Sequence, residues 1–344
     1  MDVNAPTPLL GGLSPTQFMR RHWEKKPLLV RQAWPGVKPP LTRAAMFQLA
    51  GSDDVESRLV VRSDDDWRVR HGPMPRRVLP PVTQPKWTLL VQGLDLHLDA
   101  ARAMLQPFRF VPEARLDDLM VSWASDGGGV GPHVDAYDVF LLQVSGRRRW
   151  RVGPVSDASF IDGLPLKILR RFEPAFDWVL EPGDMLYLPP LWGHDGVADG
   201  ECMTCSVGFR SPAADGLAGD LLQRLADAED DTPRLYRDPR QPATVAPGEV
   251  PPALVDFARQ AVARRLAEPQ ALERALGESL TEPKARVWFD AHDGASLAPG
   301  VRLDRRSRML YDTRHVFING ESFHVGGRDA RLMRQLADER QLDA

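Results

Sequence analysis

The chain has 344 residues, more than one ordinary domain holds, so two or three domains are expected. Its 44 Lys and Arg against 47 Asp and Glu give a formal net charge of −3. This balance excludes a general electrostatic attraction to nucleic acid or to an anionic membrane.

Cysteine content and hydropathy favour a cytoplasmic protein. Cys202 and Cys205 are the only two cysteines of the sequence, too few for a disulfide framework, which suits a reducing compartment. The first residues lack the basic start and apolar segment of a signal peptide. No apolar run approaches the ~20 residues that a membrane span needs, so we expect no membrane segment.

The N-terminal part alternates short helices and strands. Ser14 at an N-cap and Pro15 at the first helical position predict a helix that continues to residue 23. A strand over 26–31, a helix over 41–49 and a strand over 58–61 are predicted to follow.

From about residue 87 to 210 the chain consists of short β segments separated by Gly and Pro, which is typical of a β-sandwich or β-barrel. Residues 139–144 are apolar on both faces, as in a buried strand. Ser145 and Gly146 predict a turn, after which a strand over 147–152 returns. On that strand Arg148 lies on the face of Trp150, so it is predicted to point inward, where a guanidinium needs an anionic partner.

A pair of residues in this β region has the spacing of a metal site. His133 and Asp135 lie two apart, so on a strand both side chains point to one face, ~6–7 Å apart along the backbone. His194 follows a later turn and strand. Two imidazoles and one carboxylate form the facial triad that suits non-haem Fe(II) and leaves coordination positions open. The other six histidines lack such neighbours and are expected to be structural or exposed.

The character of the sequence changes after residue 211. Helical patterns rich in Ala, Leu and Arg cover 215–228 and 252–277, with a proline-rich stretch between them. Near the C-terminus, Asn319-Gly320 between alternating apolar residues predicts a hairpin. A helix from about 329 to 341 completes a small α+β domain with a β-wing.

Several motifs resemble the Jumonji-C branch of the cupin superfamily. They are GGGVGPHVD at 127–135, YDVF at 137–140, GRRRWRVG at 146–153, EPGDMLYLPPLWGH at 181–194, SVGFR at 206–210 and WEKKP at 23–27. More narrowly, they are similar to the bacterial ribosomal oxygenases. The resemblance is tight over about 14–210 and only architectural beyond.

The resemblance implies a mainly β fold with helices, built on a double-stranded β-helix core at 1–211. A helical dimerisation region at 212–278 and a winged-helix-like domain at 279–344 would follow, so a homodimer is expected.

The resemblance also implies the roles of individual residues. Fe(II) would be held by His133, Asp135 and His194, which are the catalytic centre. Arg148 matches the basic residue that pairs with the distal carboxylate of 2-oxoglutarate. The remaining implied residues are Ser206 and Gln143 in the co-substrate pocket, and Tyr137 and Asp126 at the substrate arginine.

The implied reaction consumes O₂ and 2-oxoglutarate, releases succinate and CO₂, and hydroxylates an arginine of large-subunit ribosomal protein sixteen at its β-carbon. The partner would therefore be a ribosomal protein. Two alternatives stay open on the residues alone. One is a cupin isomerase or hydrolase that uses the triad with zinc or manganese. The other is a non-enzymatic regulator that binds DNA through the C-terminal module. Residues 281–344 carry 11 basic and 10 acidic side chains, a net charge of +1. This small net charge argues against nucleic acid as a partner.

Overall fold

The computed structural model describes residues 2–63, 66–227, 234–289 and 300–343. Its contacts divide these residues into two compact units. The first comprises residues 2–211 with 284–289, and the second comprises 212–283 and 300–343 as far as they are described. Among the described residues no helix is long and apolar enough to cross a membrane.

The N-terminal elements of the first unit begin where their capping residues predict. Helix α1 spans Pro15–Arg21, and Ser14 and Gln17 form a reciprocal capping box at its start. Strand β1 follows at Leu28–Val30, and helix α2 spans Arg43–Leu49 with a Thr42 side-chain cap.

A nine-stranded sheet forms the body of the first unit. Its further strands and one helix are β2 (Ser57–Ser63), β3 (Asp66–His71), β4 (Trp87–Val91), α3 (Asp99–Leu105), β5 (Leu116–Ala124), β6 (Val139–Pro154), β7 (Phe176–Leu180), β8 (Met185–Leu188) and β9 (Trp192–Phe209). The strand order is β1-β8-β6-β9-β5-β4-β2-β3, and β7 pairs with β6. Each of these pairings is antiparallel.

The turn predicted at Ser145-Gly146 is wrong. Strand β6 continues through these residues and pairs with β9 over nearly its whole length, with register shifts around Ser145. Gly146 has a φ of 62°, and a Cβ there would collide with the Glu201 carbonyl on β9. The glycine therefore marks a β-bulge instead of a chain reversal, because a bulge also needs the left-handed region and a close backbone approach.

The bulge decides which side chains of β6 face the inside of the fold. Before it, Val139 and Leu141 line the central pocket, and after it Arg148 and Trp150 do so. An extra residue at a bulge reverses which side chains point to each face of a strand. Odd-numbered residues of β6 therefore face the pocket before the bulge, and even-numbered residues face it afterwards. On the opposite face, Phe140 is fully buried in the aromatic core.

This aromatic core fastens the N-terminal helix to the sheet. Phe140 lies 5.4 Å from the Phe18 ring of α1 and 4.9 Å from Tyr187 of β8. Phe18 also meets Tyr187 edge-on at 4.9 Å. These contacts bury large apolar surfaces behind the pocket wall, which keeps β6 and β8 in fixed positions.

The second unit is helical at first and then forms small sheets. Its helices are α4 (Ala214–Asp227), α5 (Pro252–Ala267), α6 (Ala271–Thr281) and α7 (Gly327–Glu339), and its strands are β10 (Val301–Arg302), β11 (Met309–Tyr311), β12 (His315–Ile318), β13 (Glu321–His324) and β14 (Gln341–Leu342). The helix expected over 252–277 is two helices, broken where Gln270 adopts a φ of 63°. The hairpin predicted at Asn319-Gly320 is confirmed, since these residues join β12 to β13. The domain boundary expected at 278/279 falls within α6.

Candidate active site

A pocket of about 610 Å³ lies inside the first unit and is lined by alternate residues of four neighbouring strands. Strand β4 contributes Thr88 and Leu90, with Gln92 directly after it. The other lining residues are Asp118, Met120 and Ser122 of β5, Val139, Leu141, Arg148 and Trp150 of β6, and His194, Gly196, Ser206 and Gly208 of β9. Polar groups therefore occur at both ends, with apolar side chains between them.

The three residues predicted to bind a metal meet in this pocket. The ligand atoms of His133, Asp135 and His194 all lie within 4.8 Å of one another. His194 Nε2 is 3.5 Å from Asp135 Oδ2. The backbones of His133 and His194 are joined by two reciprocal hydrogen bonds of 3.0 and 2.9 Å, which bring residues 61 positions apart side by side.

Both imidazoles are oriented by backbone carbonyls. His133 Nδ1 lies 2.8 Å from the Gly131 oxygen, and His194 Nδ1 lies 3.0 Å from the Trp192 oxygen. Because a carbonyl only accepts, each Nδ1 is the protonated nitrogen and each Nε2 keeps its lone pair for a metal. The two rings are thus fixed as ligands before any metal binds.

The charge state of His194 suits the same role. Burial and the neighbouring His133 lower the pKa of His194 to about 4. The imidazole is therefore neutral at physiological pH, which is the form that coordinates a metal. Two imidazoles and one carboxylate fit Fe(II) and leave positions for small molecules.

Gly131 lies two residues before His133, in a tightly packed position with a positive φ. Its φ is 84°, and a Cβ there would lie 2.9 Å from Ile168 Cδ1 and 3.0 Å from the Trp67 ring. A larger residue would therefore strain the backbone and push against the apolar wall beside the metal ligands.

Arg148 is buried in the pocket, and within the described part of the chain no carboxylate pairs with it. Its Nη1 donates to Ser122 Oγ at 3.2 Å, while Nε and Nη2 have no hydrogen-bond partner. Arg148 as a whole is only 5% exposed. A buried guanidinium with two unused donors is costly alone, so the site fits an anion such as a carboxylate.

Two hydroxyls beside Arg148 were not predicted from the sequence. Ser122 lies on β5 as its hydrogen-bond partner, and Thr88 lies on the neighbouring strand β4 with an unpartnered buried Oγ1. The alternation of polar side chains in a predicted strand could have indicated Ser122. Thr88 carries no such signal, because its strand reads as wholly buried.

Of the four other predicted site residues, two line the pocket and two bond elsewhere. Ser206 and Tyr137 line the pocket. Gln143 instead bonds to the Ser145 carbonyl and the Thr204 hydroxyl, both at 2.8 Å. Asp126 accepts a hydrogen bond from the Gly200 N–H at 2.9 Å. Neither Gln143 nor Asp126 is among the lining residues of the pocket.

The end of the pocket away from Arg148 carries charged groups that the sequence did not indicate. Asp117 and Asp118 lie there, and Lys284 Nζ approaches their carboxylates at 3.0 and 3.5 Å. Burial raises the pKa of Asp118 to about 6, against the opposing effect of Lys284. Tyr137 is at this end too, and burial and the nearby Asp135 raise the pKa of its phenol, so it remains protonated.

Comparison with protein families matches both units. Residues 103–217 match the JmjC domain, and residues 259–344 match the ROXA-like winged helix. The first match contains the complete triad and Arg148, and the second contains the Asn319-Gly320 hairpin.

Comparison with individual proteins gives full-length relatives. The chain is 36% identical to the ribosomal protein uL16 3-hydroxylase of Escherichia coli (strain K12), over 78% of this chain and 71% of the relative. It is 32% identical to a probable ribosomal oxygenase of Haemophilus influenzae, over 96% and 87% of the two chains. The E. coli YcfD structure in complex with cobalt and 2-oxoglutarate superposes with a TM-score of 0.76 at 34% identity, over 96% and 91% of the chains.

Fold, triad and domain match define a Jumonji-C oxygenase that depends on 2-oxoglutarate. Within that class, the chain belongs to the ribosomal oxygenase family. The predicted family, the double-stranded β-helix core with a winged-helix C-terminal domain, and the predicted enzyme class are thereby confirmed.

Proposed function

We propose that the chain is an Fe(II)- and 2-oxoglutarate-dependent hydroxylase that acts on ribosomal protein uL16, at the β-carbon of an arginine. The observation that carries this proposal is one pocket that holds both a 2-His-1-carboxylate triad and the unpartnered guanidinium of Arg148. The triad suits the metal, and the guanidinium suits the far carboxylate of a dicarboxylic co-substrate.

At the metal, His133 and His194 would each provide Nε2, and Asp135 would provide one carboxylate oxygen. Bound iron supplies the activation of O₂ coupled to decarboxylation of 2-oxoglutarate to succinate and CO₂. The carbonyl oxygens that hold both Nδ1–H groups keep the imidazoles in place throughout.

At the inner end of the pocket, Arg148 would bind the distal carboxylate through Nε and Nη2, for which the described residues offer no partner. Ser122 and Thr88 would donate their hydroxyls to the same carboxylate, and Ser206 lines the pocket between them and the metal ligands. Val139 and other apolar lining residues exclude water around the reacting groups, which strengthens these polar contacts.

At the outer end, Tyr137 would contact the substrate. Its phenol stays protonated, so it can donate a hydrogen bond, and its ring presents a face to a guanidinium. The uL16 substrate is supported by the E. coli relative, whose name states that activity. Because the proposed substrate is a ribosomal protein, we expect the enzyme to act in the cytoplasm.

Intact-mass analysis tests the proposal. The protein is loaded with Fe(II) and 2-oxoglutarate without oxygen, mixed with ribosomal proteins and then exposed to air. We expect uL16 alone to gain one oxygen atom, with one succinate released per hydroxyl, and fragmentation to locate the oxygen on an arginine β-carbon. A gain on another protein, or succinate without any hydroxylated product, would contradict the proposal.

The proposal includes a homodimer formed by the helical region at 212–278, followed by a winged-helix domain at 279–344. Its support is the surface of helices α4 and α5, which leaves apolar side chains exposed. These are Leu222, Leu254, Val262 and Leu266, each at least 38% exposed. Light scattering should give twice the mass of 38.4 kDa, and Val262→Glu with Leu266→Glu should give the monomer mass.

A further inference from the structure

Arg58 contributes a second unpaired guanidinium to the pocket, at the end opposite Arg148. It lies on β2, is partly buried and lines the cavity with Tyr137. Within the described part of the chain, no carboxylate or other acceptor pairs with this guanidinium.

The acidic groups at the same end are already engaged. Asp117 Oδ1 lies 3.0 Å from Lys284 Nζ and 3.3 Å from Arg210 Nε. Asp118 accepts hydrogen bonds from the Gly93 N–H at 2.7 Å and the Gln92 amide at 2.8 Å. These contacts use Oδ1 of Asp117 and Oδ2 of Asp118, so this end of the pocket offers carboxylate acceptors as well as the donors of Arg58. A guanidinium has five N–H donors and no acceptor, so its ligand must offer oxygen atoms.

Hydroxylation at a β-carbon determines which oxygen atoms of the substrate come close to Arg58. A β-carbon is bonded directly to the α-carbon, so the main chain of the target residue must enter the pocket with it. Its flanking carbonyl groups then leave water, and a buried carbonyl without a hydrogen bond is destabilising. Hydroxylation at this position thus requires a donor for the substrate backbone, whatever the side chain.

We infer that Arg58 binds the substrate polypeptide by donating to the main-chain carbonyl oxygen of the hydroxylated residue. This contact anchors the backbone at the outer end, and so presents the β-carbon to the metal site instead of a carbon further along the side chain. The inference rests on the proposed function. It makes Arg58 a positioning residue for the substrate, with no part in binding metal or 2-oxoglutarate.

Three variants of the full chain separate this role from a general loss of charge. Arg58→Met keeps the aliphatic stem and removes the donors, and Arg58→Lys keeps the charge without the planar pair of donors. Arg62→Met is the matched control, because Arg62 shares the strand face of Arg58 but stacks on Trp67 at 5.3 Å and does not line the pocket. Arg58→Met should raise KM for a uL16 peptide at least tenfold, leaving KM for 2-oxoglutarate and the bound metal unchanged. Arg58→Lys should recover part of the loss, and the control should resemble the unaltered protein.

A one-atom change in the substrate identifies the contact itself. A uL16 peptide is prepared with a thioamide in place of the carbonyl of the target arginine, since sulfur is a weaker acceptor than oxygen. The unaltered enzyme should lose several-fold in kcat/KM on this peptide, and Arg58→Met should show no additional loss. The inference would be overturned, with the proposed function left standing, by either of two results. One is an equal loss of kcat/KM on the thioamide peptide in both proteins, and the other is a changed KM for 2-oxoglutarate in Arg58→Met. Absence of hydroxylation of the natural peptide by the unaltered protein would overturn the proposed function and the inference together.

Discussion

Replacement of Arg148 by methionine gives the sharpest test of the co-substrate site. Arg148 is 5% exposed and offers two nitrogens that have no hydrogen-bond partner among the residues that the structure describes. A hydrogen bond to a charged group contributes about 1.5–3 kcal/mol, so a two-nitrogen contact would contribute about 3–6 kcal/mol. Part of this is offset because the carboxylate of the ligand must leave water. We therefore expect 2-oxoglutarate to bind more weakly by about 2–4 kcal/mol, a factor of roughly 30 to 1,000.

Stability measurements on the same variant add an independent readout. Without co-substrate, Arg148→Met removes a buried charge that lacks a partner, so its unfolding temperature should equal or exceed that of the unaltered protein. Added 2-oxoglutarate should raise the unfolding temperature of the unaltered protein but not that of the variant at the same concentration.

The neighbouring Arg147 supplies the control. It lies on the opposite face of β6 and pairs with Asp199 at 2.9 Å, with 55% of its side chain exposed. Arg147→Met should leave KM for 2-oxoglutarate unchanged, while metal content should be the same in all three proteins. Equal KM values for 2-oxoglutarate in Arg148→Met and Arg147→Met would refute the assignment of this pocket end to the co-substrate.

Three further outcomes are expected. His133→Ala should lose bound metal and all hydroxylation while keeping its folded structure, as judged by metal analysis and circular dichroism; retained activity would remove the residue from the triad. Lys284→Met should lower the free energy of unfolding by about 2–4 kcal/mol at pH 7.5, because it leaves the buried Asp118 carboxylate without its cation. The pKa of Asp118 is raised to about 6, so its contribution to stability is lost as pH rises through 6, and the effect of the substitution should shrink at pH 5, where this carboxyl is protonated. An equal loss in denaturant titrations at both pH values would contradict this account. Gly146→Val should lower the unfolding temperature and weaken 2-oxoglutarate binding, whereas Gly200→Val, which also has a positive φ but open space around it, should lower the unfolding temperature less.

Local features of the fold were predictable where the signal lies within a few residues. Ser14 and Pro15 start α1 because a side-chain cap and a preset φ act on the adjacent backbone. Asn319-Gly320 forms its hairpin because both residues tolerate positive φ. The inward direction of Arg148 followed from the two-residue period that it shares with Trp150.

Features that depend on strand pairing were not predictable in the same way. The residue types of Ser145-Gly146 predict a turn, yet β6 continues through them. The glycine is needed there because the Glu201 carbonyl of β9 lies too close for any Cβ atom. Gln143 was assigned to the pocket, but its side chain bonds to the hydroxyl of Thr204, its partner in the pairing of β6 with β9. Asp126 was expected at the substrate and bonds to the loop at Gly200 instead.

The sequence by itself determined the chemistry of the centre. The ligand types of His133, Asp135 and His194 suit iron, and two of them are two residues apart. The strand expected at His133 and Asp135 is absent, however, since β6 begins at Val139 and His133 forms only an isolated bridge to His194. Only the tertiary structure decided what surrounds that centre. Thr88, Ser122 and Arg58 enter the pocket from strands far apart in sequence, through registers that long-range pairing sets and no local pattern encodes. The types of the metal ligands are thus evident from the sequence, while their meeting, and the groups that select the other ligands, depend on how distant segments align.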